Sequence, residues 1–223
     1  MPSNRKVVFA NGEYYHVFNR GVEKRLTFIT KYEFLRAVDS MSFYRFANLS
    51  IRYSKYLALN KDKKAEFLKG LDGGDLQVEV VAYCLMGNHF HLLLKQLKDN
   101  GIVKFMAKFT NSYTKYFNTK HERVGPLFQG VFKAVHVGYD EQLLHLTRYI
   151  HLNPVLGFIV KAEELENYPW SSYPEYLGNI NSNLVNKSKI LRFFKGSAEY
   201  EKFVLDQADY AMKNKLIEHL EID

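Results

Sequence analysis

The chain has 223 residues, 47% of them hydrophobic, which is typical of a globular protein with a buried core. Its formal net charge of +7 favours a polyanionic partner such as nucleic acid, and the whole excess lies in residues 1–178, because seven basic and seven acidic residues balance from 179 onward. A single cysteine excludes a disulfide framework, and the lack of a long apolar run or a signal-peptide segment predicts a soluble cytoplasmic protein that does not enter a membrane.

The first predicted elements are a strand and a helix. Residues 13–20, EYYHVFNR, are aromatic and β-branched and stop at Gly21, which predicts a strand. Apolar residues recur at helical spacing over 32–49. The lysine-rich segment 54–77 that follows is interpreted as either a helical insertion or a mobile basic loop.

A hairpin is predicted next. Residues 78–86, VEVVAYCLM, are typical of a buried strand, and Gly87 and Asn88 are turn residues. Residues 89–95, HFHLLLK, then predict the returning strand.

The remaining chain is predicted to be mainly helical. An amphipathic helix is expected over 101–121, and an irregular strand over 125–137. A further helix is expected over 139–153, with Asp140 as its N-cap and Pro154 ending it. The last expected elements are an aromatic segment punctuated by proline and two helices: 168–178, 186–194 and 197–221. Strands that alternate with helices around a hairpin predict an α+β sandwich, with helices on one face of a single antiparallel sheet.

Two histidines, His89 and His91, lie one residue apart in the returning strand. Side chains alternate faces along a strand, so both imidazoles point the same way while Phe90 points into the core. Two imidazoles on one face can bind one metal ion. The ordinary alternative is a pair of histidines on a solvent-facing side of the sheet, since a His-x-His motif alone is a weak signal.

A third metal ligand has to come from an element packed across the same face. On the helix 139–153, His145, Tyr149 and Asn153 are spaced four apart and share one face. The amide oxygen of Asn153 is a hard neutral ligand that would complete a three-ligand site. Tyr149 is then a candidate nucleophile, because a metal-polarised phosphate is a better electrophile for a phenol whose pKa is near ~10.

Three motifs, in this order, resemble those of the single-tyrosine HUH transposases, in particular the REP-associated tyrosine transposase group. They are MGNHFHLLL, LTRYIHLNPV and YPWSSYPEYLG, with support from YYHVFNRG and YTKYFNTKHERVGPLFQGVFKA. The resemblance covers roughly residues 13–178. The name HUH denotes two histidines around a bulky hydrophobe, and the combination of motifs is specific where each alone is weak.

The resemblance implies a ferredoxin-like fold whose central strands carry the histidine pair. It implies a DNA transposase or endonuclease that nicks single-stranded DNA at a hairpin or palindromic repeat. A covalent 5′-phosphotyrosine, a free 3′-OH and a divalent ion, Mg²⁺ or Mn²⁺, belong to that reaction. By position, Tyr149 matches the nucleophile, and His89, His91 and Asn153 match the metal ligands, while His151 matches neither role.

The resemblance leaves alternatives for the oligomeric state, for one DNA contact and for the nucleophile. Its members are monomers or homodimers, so either state fits this chain. Val131 stands where the family usually has arginine, which removes a cation near the expected DNA path or moves the contact to Lys133. Tyr113 and Tyr116 are rival nucleophiles near Asn118, but neither is four residues from it, so Tyr149 is preferred.

Basic residues near the first strand, the long central helix and the strand after it are candidates for phosphate contacts, which weaken with salt. The predicted nucleic-acid-binding residues are Arg20, Lys24, Arg25, Lys115, Lys120, Arg123 and Lys133. Tyr116, Phe117 and Phe128 are candidates for stacking on unpaired bases. The ordinary alternatives are a solvated basic face and aromatic side chains that belong to the core.

The motifs divide the chain into a catalytic domain, 1–178, with an insertion at about 50–77, and a C-terminal helical extension, 179–223. Ser171 and Ser172 have no evident base, so a serine nucleophile is not expected.

Two other functions stay open. One is a catalytically inactive, domesticated protein of the same fold that binds DNA or RNA. The other is a metal phosphoesterase that uses water.

Overall fold

The computed structural model describes residues 7–71 and 74–208. Its sheet has four strands in the order β2-β3-β1-β4, with all neighbours antiparallel. The strands are β1, Tyr14–Arg20; β2, Val78–Met86; β3, His89–Gln96; and β4, Lys133–Val137. The α-helices of the described residues are α1, Lys31–Tyr44; α2, Tyr53–Leu57; α3, Lys61–Leu71; α4, Gly101–Lys120; α5, Asp140–Leu156; α6, Tyr173–Leu177; α7, Ser188–Leu191; and α8, Ser197–Leu205.

Helices cover both faces of the sheet. Val17, Phe90 and Leu92 point into one core, which α1 and α4 close. Cys84 and Leu93 point into a second core, closed by α5 and the C-terminal helices. The prediction of helices on one face is therefore wrong, whereas the α+β class with a ferredoxin-like antiparallel sheet is confirmed.

The outer edge of β2 is covered by the aromatic segment that follows α5. Leu85 N–H donates to Trp170 O (2.8 Å), and Ser172 N–H donates to Tyr83 O (2.9 Å). β2 is thus covered on both faces and along part of its edge, which explains why VEVVAYCLM is apolar without alternation. The opposite edge, β4, is short and mostly exposed.

Three elements in the first two thirds of the chain differ from their predicted bounds. The helix predicted over 32–49 ends at Tyr44, and the undecided segment 54–77 forms helices α2 and α3 rather than a basic loop. Of the irregular strand predicted over 125–137, only Lys133–Val137 forms a continuous strand, and Phe128 makes an isolated antiparallel bridge with Gly21. Two glycines with positive φ, +89° at 125 and +56° at 130, turn the chain before that point.

The helix that carries the candidate nucleophile is longer than predicted. Its N-cap is Tyr139 rather than Asp140, and it runs through Pro154 to Leu156. A proline lacks an N–H, so only the carbonyl of Ile150 loses its helical donor, and this loss falls in the last turn. The prediction that Pro154 ends the helix is therefore wrong.

The C-terminal part of the described chain joins the second core through Ile190, Tyr200 and Val204. Helices α7 and α8 are shorter than predicted, and the rest of the predicted last helix, 209–221, lies outside the described residues. The division into a 1–178 domain and a 179–223 extension stays a prediction. Within the described ranges, no helix is long and apolar enough to cross a bilayer.

Candidate active site

The His-Phe-His motif lies at the start of β3, directly after the hairpin turn. His89 and His91 point toward the face covered by α5, while Phe90 is fully buried in the opposite core. The two imidazole rings are nearly perpendicular, at 88°, and their centroids are 5.1 Å apart. Strand alternation therefore places the pair on one face.

Asn88 determines which nitrogen of His89 carries the proton. Asn88 Nδ2 donates to Lys24 O (3.1 Å), and Asn88 Oδ1 lies 2.6 Å from His89 Nδ1. An amide oxygen only accepts hydrogen bonds, so His89 Nδ1 is the donor in this contact. The contact fixes the orientation of the His89 ring.

A third histidine, His16 on β1, contacts His91. Its Nε2 lies 2.9 Å from His91 Nδ1, and the two rings are within 21° of parallel. Burial lowers the pKa of His16 to about 4, so the ring is neutral at pH 7. The sequence alone gives no sign of this contact. Alternation in YYHVFNR puts His16 on the same side as Phe18, but only the observed register, with Phe18 opposite His91, shows that the two imidazoles meet.

Helix α5 places Tyr149 against the same imidazoles. The Tyr149 ring centroid lies 5.5 Å from that of His91 and 6.3 Å from that of His16, and both ring pairs are close to perpendicular. The Tyr149 side chain is 42% exposed, so solvent reaches it. His145, one turn earlier, instead hydrogen-bonds Arg148 (2.6 Å). The phenol and the histidine pair therefore come together within one chain.

Asn153 is buried, and its Nδ2 donates to Tyr149 O (2.8 Å), so its Oδ1 is the atom that could bind a cation. The predicted ligand set of His89, His91 and Asn153 would offer two imidazole nitrogens and one amide oxygen. The set fits Mn²⁺ better than Mg²⁺, which favours oxygen ligands. In the described chain, no three His, Cys, Asp or Glu side chains converge to hold a metal.

Four predicted nucleic-acid-binding residues lie near the edge of this site. Arg20 is exposed at the end of β1, directly opposite His89 in the sheet. Lys24 and Arg25 follow in the next loop, and Lys133 is exposed at the start of β4. These cations border the face that carries the imidazoles.

The other three predicted residues lie on or just after α4, on the far side of the sheet. Lys115 is exposed. Lys120 Nζ donates to the buried Glu33 (2.7 Å), and Arg123 donates to Asn118 Oδ1 (2.7 Å). Burial by itself would raise the pKa of Glu33. The hydrogen bonds that its carboxylate accepts, first of all the one from Lys120, outweigh burial and lower the pKa to about 2, so Glu33 and Lys120 are both ionised at pH 7. Lys120 and Arg123 are thus already held by neighbours.

A cavity of about 990 Å³ lies beside these residues, between α1, residues 49–54 and α4. Its charged lining residues are all cationic: Arg36, Arg52, Lys108, Lys115 and Lys120. The predicted nucleic-acid-binding residues therefore fall on two surfaces, one beside the histidine pair and one across the sheet.

Two of the three aromatic residues predicted to stack on bases belong to the core. Phe117 and Phe128 are buried there, so that prediction is wrong for both, while Tyr116 lines the cavity. The rival nucleophile Tyr113 is also buried: its hydroxyl donates to Thr27 O (2.6 Å), and burial raises its pKa. A buried and engaged hydroxyl cannot reach a phosphate, which removes Tyr113 as a candidate.

A buried polar network links α5 to the C-terminal helices. His151 Nε2 lies 2.7 Å from Ser172 Oγ, and Tyr200 Oη lies 2.7 Å from His151 Nδ1. The expectation that Ser172 lacks a base is therefore wrong. All three side chains are fully buried, however, and burial lowers the pKa of His151 to about 3. The network consequently serves packing rather than catalysis.

Comparison with known proteins agrees with the motifs. Residues 59–153 match the family model described as "Transposase IS200 like". The fold is similar to that of a REP-associated tyrosine transposase, solved bound to a REP hairpin, with TM-score 0.53 and 13% identity over 84% of this chain and 96% of that one. The tRNA(His) guanylyltransferase of Saccharomyces cerevisiae gives a TM-score of 0.33 at 12% identity, over 92% of this chain and 82% of that one, too low to support an argument. No curated protein matches the sequence. The resemblance to IS200-like and REP-associated tyrosine transposases is confirmed.

Proposed function

Because residues 59–153 match the IS200-like transposase family, we propose that this chain is an enzyme that nicks single-stranded DNA and transfers the strand through a covalent 5′-phosphotyrosine. One observation carries the proposal. The Tyr149 ring lies 5.5 Å from that of His91, on the face where the imidazoles lie. A phenol beside two potential metal ligands is the arrangement that such a reaction needs.

In the proposed reaction, Tyr149 Oη attacks the scissile phosphorus. The new P–O bond replaces the bond to the 3′ oxygen, which takes up a proton and leaves as a free 3′-OH. The phenolic proton passes to solvent, which reaches the exposed Tyr149. Attack by a 3′-OH on the phosphotyrosine reverses these steps and joins strands, because a phenol is a better leaving group than an alkyl alcohol.

Mn²⁺ or Mg²⁺, when bound by His89 Nε2, His91 Nε2 and Asn153 Oδ1, would polarise the phosphate and orient it. The protein's own contribution is positional. β3 fixes the imidazoles, and α5 fixes the phenol and the amide. The donor set favours Mn²⁺ as the better of the two ions.

The proposed substrate is single-stranded DNA next to a hairpin or palindromic repeat. The solved transposase of similar fold is bound to a REP hairpin, and the cations Arg20, Lys24, Arg25 and Lys133 border the site of this chain. Lys115 provides a second contact surface across the sheet, where Lys120 and Arg123 are held by Glu33 and Asn118. We place the reaction in the cytoplasm, with the protein acting as a monomer or homodimer.

The test is formation of a covalent adduct. Purified full-length protein is incubated with Mn²⁺ and single-stranded oligonucleotides that tile the DNA around its own coding region, and adducts are resolved on denaturing gels. We expect an adduct that mass spectrometry locates on Tyr149. In Tyr149→Phe the amount of adduct should fall at least 100-fold, because phenylalanine lacks the hydroxyl that attacks the phosphate.

The matched control is Tyr139→Phe, at the N-cap of the same helix, which leaves adduct formation unchanged. Cleavage that survives Tyr149→Phe would point to a phosphoesterase that uses water. DNA binding without any adduct would point to a binding protein of the same fold.

A further inference from the structure

We propose that Phe158, just after helix α5, is a substrate-binding residue on which an unpaired base of single-stranded DNA stacks. The proposal rests on the proposed function for the identity of the substrate. It adds a contact to a base to the phosphate contacts proposed for Arg20 and Lys24. Phe158 is not among the aromatic residues that the sequence predicts to stack.

The backbone of Phe158 has a conformation that is unusual for an aromatic residue. Its φ is +54°, in the left-handed region, which is disfavoured for a residue with a Cβ. Phe158 N–H donates to Val155 O (2.9 Å). Ile159 N–H donates to Pro154 O (2.9 Å), and the two bonds together form the Schellman motif that ends many helices. Glycine is the usual residue at this position of the motif, so the chain carries a large aromatic side chain where glycine would fit without strain.

The Phe158 side chain gains little from burial in return. It is 53% exposed, and the neighbouring Ile159 is 48% exposed. Backbone strain of this kind is retained mainly at binding and active sites, where the side chain serves a ligand. Exposed aromatic rings are the platforms on which proteins stack unpaired bases. Phe158 therefore has the properties of a stacking residue.

The place of Phe158 in the fold brings it to the end of the sheet where the histidine motif begins. The preceding residue, Gly157, packs so closely on Met86 that a Cβ added to Gly157 would lie 2.6 Å from Met86 Cε. Met86 is the last residue of β2 and pairs with His89 across the hairpin turn. Phe158 thus lies beside the turn from which the His-Phe-His strand starts.

Cations border the same turn. Lys24 O accepts a hydrogen bond from Asn88 Nδ2 (3.1 Å), so the loop that carries the exposed Lys24 packs against the turn. Arg20 is exposed at the end of β1, opposite the first residue of β3. Single-stranded DNA offers phosphates and bases in alternation, which fits a surface where cations flank an aromatic ring. This charge complementarity favours a nucleic-acid strand over an apolar protein segment as the occupant.

The experiment measures binding of a labelled single-stranded oligonucleotide of mixed sequence by fluorescence anisotropy, with EDTA present to prevent cleavage. A strand of equal length without bases is the second probe. Phe158→Gly removes the ring, and Phe158→Trp keeps an aromatic ring. Phe193→Gly is the matched control, because Phe193 is an aromatic residue that is 41% exposed and lies beside a cation, 5.7 Å from Lys189 Nζ. The ion pair of Lys189 with Asp140 places this control near the opposite end of α5.

We expect Phe158→Gly to bind the mixed-sequence strand about 5- to 100-fold more weakly, the range that corresponds to one lost stack between a base and an aromatic ring. The slope of log affinity against log salt should stay unchanged, because no phosphate contact is lost. Phe158→Trp and Phe193→Gly should bind as the wild-type protein does. All of these proteins should bind the strand without bases alike, because it offers nothing to stack.

The stability of Phe158→Gly separates a stacking role from a structural one. Glycine adopts a φ of +54° without strain, so the melting temperature should equal or exceed that of the wild-type protein. Thermal unfolding followed by circular dichroism measures it. A ring that only packs against the protein would lower the melting temperature when removed and leave the DNA affinity unchanged, which would overturn the proposal.

The proposal is also overturned if Phe158→Gly weakens binding of both strands by the same factor. Loss of a concentration-dependent dimer in Phe158→Gly, at unchanged DNA affinity, would assign the exposed ring to contact between two copies of the chain instead. These results are independent of adduct formation by Tyr149, so they leave the proposed nucleophile standing. Conversely, the expected binding results without any adduct would keep the role of Phe158 and refute strand transfer.

Discussion

Ring nitrogens make specific contacts in the candidate site. His89 Nδ1 lies 2.6 Å from Asn88 Oδ1, and His91 Nδ1 lies 2.9 Å from His16 Nε2. Exchanging His89 or His91 for a side chain without nitrogen would remove one of the proposed metal ligands. Variants at these positions should therefore lose cleavage activity and keep most of their affinity for DNA.

We expect His89→Ala and His91→Ala each to reduce cleavage at least 100-fold while DNA affinity changes less than about threefold, because cations rather than imidazoles dominate binding. Asn153→Ala should weaken the metal dependence less than either histidine change. Cleavage assays with Mn²⁺ titration, beside DNA binding by fluorescence anisotropy, measure both. Joint loss of fold and binding in the histidine variants would assign them a structural role.

The residues of the site differ in how far the sequence reveals them. His89 and His91 follow from strand alternation, and Tyr149 and Asn153 from helical spacing, because these patterns depend only on local geometry. His16 depends on the register between two strands that lie far apart in sequence, which no local pattern contains. The sequence therefore predicts the elements of the site but not the contact between His16 and His91.

At the scale of elements, α5 is the helix on which the site depends most. It packs against β2 and holds Tyr149 over β3. Its buried side is tied to the C-terminal helices through His151 and Tyr200, and Arg148 stacks on the Phe203 ring with 4.5 Å to the centroid. The C-terminal segment thus helps to set where the phenol lies.

We expect Tyr200→Phe to destabilise the fold by about 1–3 kcal/mol, because His151 Nδ1 would lose its partner inside the core. Urea unfolding monitored by circular dichroism measures the change. Tyr32→Phe, at a tyrosine that is 74% exposed, is the control and should be neutral. Equal stability of Tyr200→Phe and the wild-type protein would mean that this hydrogen bond adds nothing to the anchoring of α5.

The bounds of the elements show where local rules are overridden. Pro154 reads as a helix stop, yet the last turn continues because the second core holds Val155 and Leu156 in place. The strand predicted over 125–137 shortens to Lys133–Val137, because glycines with positive φ turn the chain first. Tertiary packing extends the end of α5, whereas the local conformation of the two glycines sets where β4 begins.

For the whole molecule, the notable feature is the placement of charge on two sides of one sheet. Arg20 and Lys133 lie on the side of the imidazoles, while Lys108 and Lys115 line the cavity between α1 and α4. The C-terminal stretch from residue 179 has balanced charge. A long or folded nucleic acid that touches both cationic surfaces has to pass around the sheet.

We expect Lys133→Ala and Lys115→Ala each to weaken binding of single-stranded DNA and to reduce the slope of log affinity against log salt by about 0.7, the value of one lost phosphate contact. Lys195→Ala, in the charge-balanced stretch, is the control and should leave the slope unchanged. Anisotropy titrations at several salt concentrations give the slopes. A Lys115→Ala variant indistinguishable from the control would place the cavity outside the DNA path.

The approach of Tyr149 to His91 within one polypeptide also has a kinetic consequence. In the proposed reaction, a nucleophile and metal ligands that act within one chain would make the rate first order in that chain. Its turnover per molecule stays constant on dilution, far below the concentrations at which two copies would meet. A single molecule delivered to a single DNA site would then be sufficient for one complete cut.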